Sequence, residues 1–177
     1  MRTLITEERI EERVRSVAGD IIASYGDRPI TILGVLVGSL VFLADLIRQL
    51  PMPMKVGLLQ AKSYRGTATS PGELTVDVST LPDLQGQDVL VIDDIFDTGL
   101  TLARVVERLQ QFEPRSLKTV VLLRKAERRQ VDMQPDFVGF DVPNEFVVGY
   151  GLDYDDRYRN LPCVAVLEPQ DLEDFSA

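Results

Sequence analysis

Apolar residues recur along the chain in two rhythms, one typical of helices and one typical of buried strands. After Thr6, the apolar residues Ile10, Val14 and Val17 follow one another at intervals of three or four positions, which is the spacing of an amphipathic helix. Thr6 suits the N-cap, and Gly26 suits the position after the last turn. The pattern therefore predicts a first helix between these two residues.

Strands are predicted where apolar and β-branched residues run together. Such runs occupy residues 30–36, 54–59, 74–78, 89–92 and 120–123. Helical patterns follow the first and fourth of these runs, over residues 40–50 and up to about Leu109. Strands separated by helices indicate crossover connections. We therefore expect an α/β fold with a mostly parallel central sheet flanked by helices.

Length and charge narrow the classes of function. The chain has 177 residues, which fits one domain, and a net charge of −9. A negative molecule repels polyanions, so the charge argues against nucleic acid as a partner. No apolar run approaches the roughly 20 residues of a membrane span, and the N-terminus has no signal-peptide core. We expect a cytoplasmic protein that binds neither nucleic acid nor membranes.

The sequence contains no histidine and a single cysteine, Cys163. The lack of histidine excludes Ser-His-Asp and Cys-His nucleophilic systems, and it also excludes His-ligated zinc or iron. Cys163 begins an apolar run, which predicts a buried strand residue rather than a reactive thiol. Any metal would therefore be held by oxygen ligands, which suit magnesium, manganese or calcium.

The most informative segment reads VLVIDDIFDTGLT. Ligands of open α/β sheets bind beyond the carboxyl ends of the strands. Gly99 would let the backbone approach a phosphate beside free helix N–H groups, and Thr98 and Thr101 would add hydroxyl donors. Asp93 and Asp94 would accept hydrogen bonds from a ribose diol. The segment predicts a site for a sugar 5-phosphate; the alternative is an ordinary loop whose Asp and Thr side chains only cap the helix.

These thirteen residues resemble the phosphoribosyl-pyrophosphate signature of type I phosphoribosyltransferases. Further segments resemble the hypoxanthine-guanine branch: a pyrophosphate loop at 36–39, the start of a mobile lid at 62–64, and a purine-binding hood built from Lys125, 135–140, 146–154 and Arg159. The resemblance extends from about residue 30 to 167. It implies a single phosphoribosyltransferase domain over residues 1–177, with a core at about 1–124 and a hood mainly at 125–177.

The resemblance also implies roles for the core acids. Asp97 would be the general base at purine N7, or would stabilise the proton there. Asp93 and Asp94 would hold the ribose hydroxyls, partly through a magnesium ion. The Thr-Gly-Leu-Thr turn after Asp97 would cradle the 5-phosphate.

The hood residues are assigned in the same way. Lys125 would donate to the exocyclic O6 of the base, which favours 6-oxopurines over adenine. Phe146 would stack on the base, and the backbone of Val147 would contact its edge. Asp153, on the purine side, would bind a magnesium ion, and Arg159 would grip pyrophosphate oxygens. Each of these residues alone has a plainer interpretation, as a surface charge or as part of the core.

Two loops complete the expected site. Ser63 and Tyr64 would begin the lid. Val37 stands where some members of the family have lysine, so pyrophosphate would meet the backbone N–H groups of Gly38 and Ser39 rather than a side chain. We expect a cis peptide between Val37 and Gly38.

The activity that the resemblance implies is transfer of the 5-phosphoribosyl group from phosphoribosyl pyrophosphate to a 6-oxopurine, hypoxanthine or guanine. The products would be IMP or GMP and pyrophosphate, in purine salvage, with Mg²⁺ as cofactor and a homodimer or homotetramer as the assembly. Two alternatives stay open. One is a regulator that keeps the ribose-phosphate motif but binds RNA, which the charge of −9 disfavours. The other is an enzyme of the xanthine-guanine branch; a pyrimidine enzyme is a more distant alternative.

Overall fold

The structure is a computed structural model that describes residues 1–63, 74–168 and 170–171. Its elements, in chain order, are β1 (Arg2–Ile5), α1 (Glu7–Tyr25), β2 (Ile30–Leu36), α2 (Leu40–Ile47), β3 (Met54–Ser63), β4 (Leu74–Asp77), β5 (Asp88–Phe96), α3 (Leu100–Gln110), β6 (Ser116–Arg124), a 3₁₀ turn (Ala126–Arg128), β7 (Phe137–Asp141), β8 (Val147–Val148) and β9 (Val164–Val166). The alternation of strands and helices confirms the predicted α/β class.

A six-stranded sheet forms the centre of the molecule, in the order β4-β3-β2-β5-β6-β7. Every pair in it is parallel except β3–β4. One face packs against α1 and α2 through buried residues such as Ile21, Ile32 and Leu46. The other face packs against α3 through Leu33 and Val105. Because both faces are covered, the central strands read as continuous apolar runs.

The structure confirms the predicted bounds of the first helix, α1, which lies between Thr6 and Gly26. Thr6 is the N-cap, and its Oγ1 accepts a hydrogen bond from the Arg9 N–H at 3.4 Å. Gly26 follows the last residue with φ +60°, and its N–H donates to the Ile22 carbonyl at 2.8 Å. A positive φ is the reason glycine suits this end. The helix therefore ends by backbone conformation as well as by loss of the apolar pattern.

A second, three-stranded antiparallel sheet has the order β1-β9-β8. No sequence pattern predicted the N-terminal strand, because Arg2–Ile5 carries no apolar alternation. In the structure only Ile5, its last residue, is buried. It is held by pairing with β9, in which Arg2 lies opposite Val166. A partner more than 160 residues away in the chain thus decides this element.

Several boundary predictions were wrong; the strands predicted over 54–59 and 120–123, for example, span Met54–Ser63 and Ser116–Arg124. The strand expected to end at Ile92 continues to Phe96, because its pairing with β6 persists to Phe96 opposite Arg124. The second helix ends at Ile47 rather than at 50. Cys163 is half-buried and lies just before β9 rather than in a buried strand.

Among the described residues, no helix combines the length and the apolar character that crossing a membrane requires.

Candidate functional site

A cleft of about 410 Å³ opens where β2 and β5 end. Parallel strands present their carboxyl ends at one edge of the sheet, so the segments that follow them meet there. Predicted site residues that line the cleft are Val37, Gly38, Asp93, Asp94, Asp97, Thr98, Gly99, Thr101, Asp153 and Arg159. Residues far apart in sequence therefore share one opening.

Asp93 and Asp94 are the acids of the cleft floor. Asp93 is 6% exposed, and one of its oxygens accepts the backbone N–H of Asp94 at 3.0 Å. Asp94 in turn accepts the Ile95 N–H at 2.7 Å. Burial raises the pKa of both carboxyls, and the charge of Asp94 raises the pKa of Asp93 further. Asp94 is half-buried, and two adjacent acids in such a position are stabilised by donors or a cation that reach them in the cleft.

Gly38 brings the backbone of the loop after β2 directly against Asp94. A Cβ on Gly38 would collide with Oδ2 of Asp94, and a Cβ on Gly151 would collide with the Gly38 carbonyl oxygen. Gly38 is therefore enclosed between Asp94 and the turn that contains Gly151. Side chains at either glycine would separate these two walls of the cleft.

The turn between β5 and α3 has the geometry of an anion site. Gly99 adopts φ +83°, and a Cβ there would lie 2.5 Å from ring atoms of Phe96 and from Val131. Thr98 Oγ1 accepts the Leu100 N–H at 3.4 Å, and Thr101 lines the cleft in the first turn of α3. The first turn of α3 and the positive end of its dipole therefore lie beside the opening.

Asp97 lies between two cations. Arg128 donates to its Oδ2 at 3.1 Å, and the Nζ of Lys125 is 4.0 Å from the same oxygen. Lys125 is 6% exposed, and its backbone N–H bonds to the Phe96 carbonyl at 2.9 Å, which fixes it beside the end of β5. The other oxygen, Asp97 Oδ1, is buried and has no hydrogen-bond partner within the described parts of the chain. One carboxylate oxygen is thus left for a ligand.

Asp153 and Arg159 come from the segment between β8 and β9. The Nη2 of Arg159 is 2.9 Å from Oδ1 of Asp153, and its Nη1 donates to the Gly151 carbonyl at 2.8 Å. The Asp156 N–H donates to the other oxygen of Asp153 at 2.9 Å. The turn therefore orients Arg159, whose guanidinium forms ion pairs with both Asp153 and Asp156.

Val147 is the first residue of the short strand β8, and Phe146 directly precedes it. Phe146 is 54% exposed, an unusual exposure for a phenylalanine, and its ring meets Tyr154 edge-on at a centroid distance of 5.5 Å. Val147 is buried. Phe146, Val147 and Lys125 are not among the residues that line the 410 Å³ cleft itself. The exposed aromatic ring is available for stacking on a planar ligand.

The loop after β2 differs from expectation. The cis peptide joins Leu36 and Val37, one residue earlier than predicted, at the point where β2 ends. Ser39 is fully buried, and its hydroxyl donates to the Val35 carbonyl at 2.6 Å, so its side chain holds the loop rather than facing the cleft. For the lid, Tyr64 and the Ser63 side chain lie outside the described residues.

The candidate metal ligands are not assembled into one cluster. Within residues 1–63, 74–168 and 170–171, no group of three or more Asp, Glu, His or Cys side chains is placed to hold a metal ion. Asp93 and Asp94 come from β5, and Asp153 belongs to the hood segment. The donors are carboxylate oxygens, which fit a hard divalent cation.

Sequence reasoning missed two side chains of this region. Arg128 is not among the predicted site residues, and its pairing with Asp97 depends on the 3₁₀ turn after β6. Tyr150 lies within the predicted hood segment 146–154, but the sequence did not predict that its hydroxyl donates a hydrogen bond to Asp45 of α2. No local pattern marks either contact, because both join distant segments.

Comparisons with known proteins point to one family. Residues 3–155 match the family model described as the phosphoribosyl transferase domain. The chain is 43% identical to a hypoxanthine-guanine phosphoribosyltransferase of Aquifex aeolicus, over 95% of each chain. It is 41% identical to the enzyme of the same name from Bacillus subtilis, over 95% of this chain and 93% of the relative.

A solved structure gives the same result at the level of the fold. The chain is similar to a variant of the hypoxanthine phosphoribosyltransferase of Trypanosoma cruzi, in complex with the product IMP, with a TM-score of 0.90 and 38% identity. The similarity covers 100% of this chain and 95% of that one.

Proposed function

Because the chain belongs to the phosphoribosyltransferase family, we propose that it transfers the 5-phosphoribosyl group of phosphoribosyl pyrophosphate to a 6-oxopurine, hypoxanthine or guanine, and releases pyrophosphate. The product would be IMP or GMP, which places the reaction in purine salvage. One observation carries the proposal: the adjacent acids Asp93 and Asp94, the helix N-terminus at Gly99, and Asp97 beside the buried Lys125 meet at the same edge of the sheet.

The ribose phosphate fits the β5–α3 region. The turn of Thr98, Gly99 and Thr101 would bind the 5-phosphate through backbone N–H groups and hydroxyls. Asp93 and Asp94 would accept hydrogen bonds from the ribose hydroxyls. The two acids would also stabilise positive charge that develops at the anomeric carbon as the leaving group departs.

The purine fits beside Asp97 and Lys125. A 6-oxopurine carries O6 and N7 on one edge, so an acceptor and a donor held side by side match that edge. Lys125 would donate to O6, and Asp97 would take or hold the proton at N7. Adenine presents an amino group in place of O6 and would set donor against donor. Phe146 would stack on the ring, and the Val147 backbone would contact its edge.

Pyrophosphate would lie against the loop of Val37, Gly38 and Ser39, with Arg159 binding its oxygens. Enzymes of this family generally use a divalent metal. We propose Mg²⁺, because the available ligands are carboxylates and Mg²⁺ is commonly held by one or two carboxylates together with substrate phosphates. Asp93, Asp94 and Asp153 would hold it, and it would neutralise the pyrophosphate leaving group.

Assembly and location follow the same resemblance. We keep the prediction of a homodimer or homotetramer in the cytoplasm, and light scattering of the purified protein would give the number of subunits. A single species with the mass of one chain, 19.8 kDa, at micromolar concentration would contradict it.

The test of the activity is direct. The protein is incubated with phosphoribosyl pyrophosphate, MgCl₂ and one of hypoxanthine, guanine, xanthine or adenine, and nucleotide formation is followed by ultraviolet absorbance and chromatography. We expect turnover with hypoxanthine or guanine and none with adenine. Absence of product with every 6-oxopurine, together with retention of RNA in a low-salt filter assay, would favour the regulator instead.

A further inference from the structure

Tyr150 lies in an unusual turn behind the cleft. It is flanked by Gly149 and Gly151, and the three residues have φ values of +94°, +52° and +98°. A tyrosine at positive φ is disfavoured unless surrounding contacts hold it. Its N–H donates to the Leu161 carbonyl at 2.8 Å, and only 6% of the residue is exposed. The turn is therefore held in place by its contacts rather than by local preference.

The hydroxyl of Tyr150 reaches across to α2. It donates to Oδ2 of Asp45 at 2.6 Å, while Oδ1 of Asp45 accepts from Arg48 at 2.6 Å. Burial raises the pKa of Tyr150 above its ordinary value, so the hydroxyl keeps its proton and remains a donor. The acceptor is oriented by its arginine, which makes this a short, charge-assisted hydrogen bond between two elements.

Each end of this bond leads to a different wall of the cleft. Asp45 belongs to α2, whose first residue, Leu40, follows the loop that contains Gly38. Tyr150 is adjacent to Gly151, whose Cα lies against the Gly38 carbonyl. The carbonyl of Gly151 accepts a hydrogen bond from Nη1 of Arg159 at 2.8 Å. The bond thus spans the same two segments that meet at Gly38 and Gly151.

We propose that Tyr150 and Asp45 form a positioning pair, which sets the distance between the pyrophosphate loop and the Arg159 side of the cleft and thereby controls binding of phosphoribosyl pyrophosphate. This proposal rests on the proposed function. Neither residue touches substrate; both act through Gly38 and Arg159. Purine recognition should be affected far less, because Asp97 and Lys125 directly follow β5 and β6 and belong to neither of the two joined segments.

The chain offers a matched control for removal of the hydroxyl. Tyr25 is also buried, and its hydroxyl donates to the Val89 carbonyl at 3.2 Å in the core. Tyr150→Phe and Tyr25→Phe each remove one hydroxyl and one hydrogen bond. A merely structural role for Tyr150 would lower the stability of both variants and leave the binding of every substrate unchanged in both.

The measured quantities are the KM of phosphoribosyl pyrophosphate, the KM of hypoxanthine, and the calorimetric Kd of pyrophosphate with Mg²⁺. In Tyr150→Phe we expect the KM of phosphoribosyl pyrophosphate and the Kd of pyrophosphate to rise about tenfold, the loss expected for a hydrogen bond to a charged group. The KM of hypoxanthine should stay within about twofold. In Tyr25→Phe all three should stay within about twofold. Equal behaviour of the two variants would overturn the proposal.

Asp45→Asn provides a second route to the pair. It should raise the KM of phosphoribosyl pyrophosphate as well, and combining it with Tyr150→Phe should add little, because both changes break one interaction. Fully additive effects would contradict a shared role. Failure of the proposed function looks different: the unaltered protein would then form no nucleotide from any 6-oxopurine, whereas failure of the positioning role leaves that activity intact.

Discussion

Asp97 and Arg128 form an ion pair beside the end of β5, with Nη1 of the arginine 3.1 Å from Oδ2 of the carboxylate. The pair occupies one oxygen of Asp97, and the other, Oδ1, is buried without a hydrogen-bond partner among the described residues. A buried, unpartnered carboxylate oxygen is costly unless a ligand supplies a donor. The arrangement therefore favours a ligand that presents a proton at this point, as a purine does at N7.

Replacing the carboxylate tests this assignment. We expect Asp97→Asn to lower kcat by roughly 10²-fold or more, the usual contribution of a general acid or base. Asp132→Asn, a change of an exposed acid beyond the 3₁₀ turn, is the control and should leave kcat unchanged. Steady-state kinetics with hypoxanthine would measure both. Undiminished turnover in Asp97→Asn would refute its role.

Arg128 should contribute by orienting Asp97. The pair is partly exposed, and such pairs are worth up to about 1 kcal/mol, so Arg128→Gln should lower kcat/KM for hypoxanthine about two- to fivefold. Arg129→Gln removes the same charge from the next residue, which is also exposed. We expect no comparable change there. Equal losses in the two variants would indicate a general effect of charge instead.

Lys125 should determine the choice between oxo- and aminopurines. Lys125→Met keeps the length of the buried side chain but removes the donor, so kcat/KM for hypoxanthine should fall by roughly 10- to 100-fold. Discrimination against adenine should shrink, because the adenine amino group no longer faces a cation. The ratio of the two kcat/KM values is the measurement. A fall for hypoxanthine with unchanged discrimination would mean that the lysine serves only packing.

Gly99 should be intolerant of any side chain. Gly99→Ala introduces a Cβ 2.5 Å from Phe96 and Val131 at φ +83°, whereas Gly26→Ala, at φ +60°, meets open space. Gly26→Ala should therefore cost only about 1 kcal/mol of unfolding free energy. Gly99→Ala should cost more and also weaken binding of IMP. Urea unfolding and calorimetry would compare the two; equal costs would show that the turn relaxes freely.

Asp88 should make stability depend on acidity. Its carboxylate is fully buried at the start of β5, accepts from Arg115 and accepts from the Ser116 hydroxyl at 2.6 Å. The hydrogen bond from Arg115 holds the pKa of Asp88 below its ordinary value.

A lowered folded pKa stabilises the protein above the unfolded pKa of about 3.9, and this contribution is lost as pH falls through the folded value. We expect Asp88→Asn to reduce the unfolding free energy by about 1–3 kcal/mol at pH 7. The difference from the unaltered protein should narrow below about pH 4. Urea titrations at several pH values would measure it, and a difference independent of pH would contradict the assignment.

The sequence by itself determined the parallel α/β core and the main elements of the cleft. Runs such as Ile30–Leu36 have few alternatives to a buried strand. Parallel pairing then brings the ends of β2, β5 and β6 to one edge, so Gly38, Asp97 and Lys125, which follow these three ends, had to lie near one another. These features follow from local spacing and a single topological rule.

Only the tertiary structure decided the contacts between distant segments. The pairing of Arg2 with Val166, the ion pair of Arg128 with Asp97 and the bond from Tyr150 to Asp45 each join residues whose neighbours give no sign of the partner. Their geometry depends on strand register and on turns at positive φ, which are fixed when the whole core packs. Local spacing thus sets which residues approach the cleft, and packing sets which of their atoms meet.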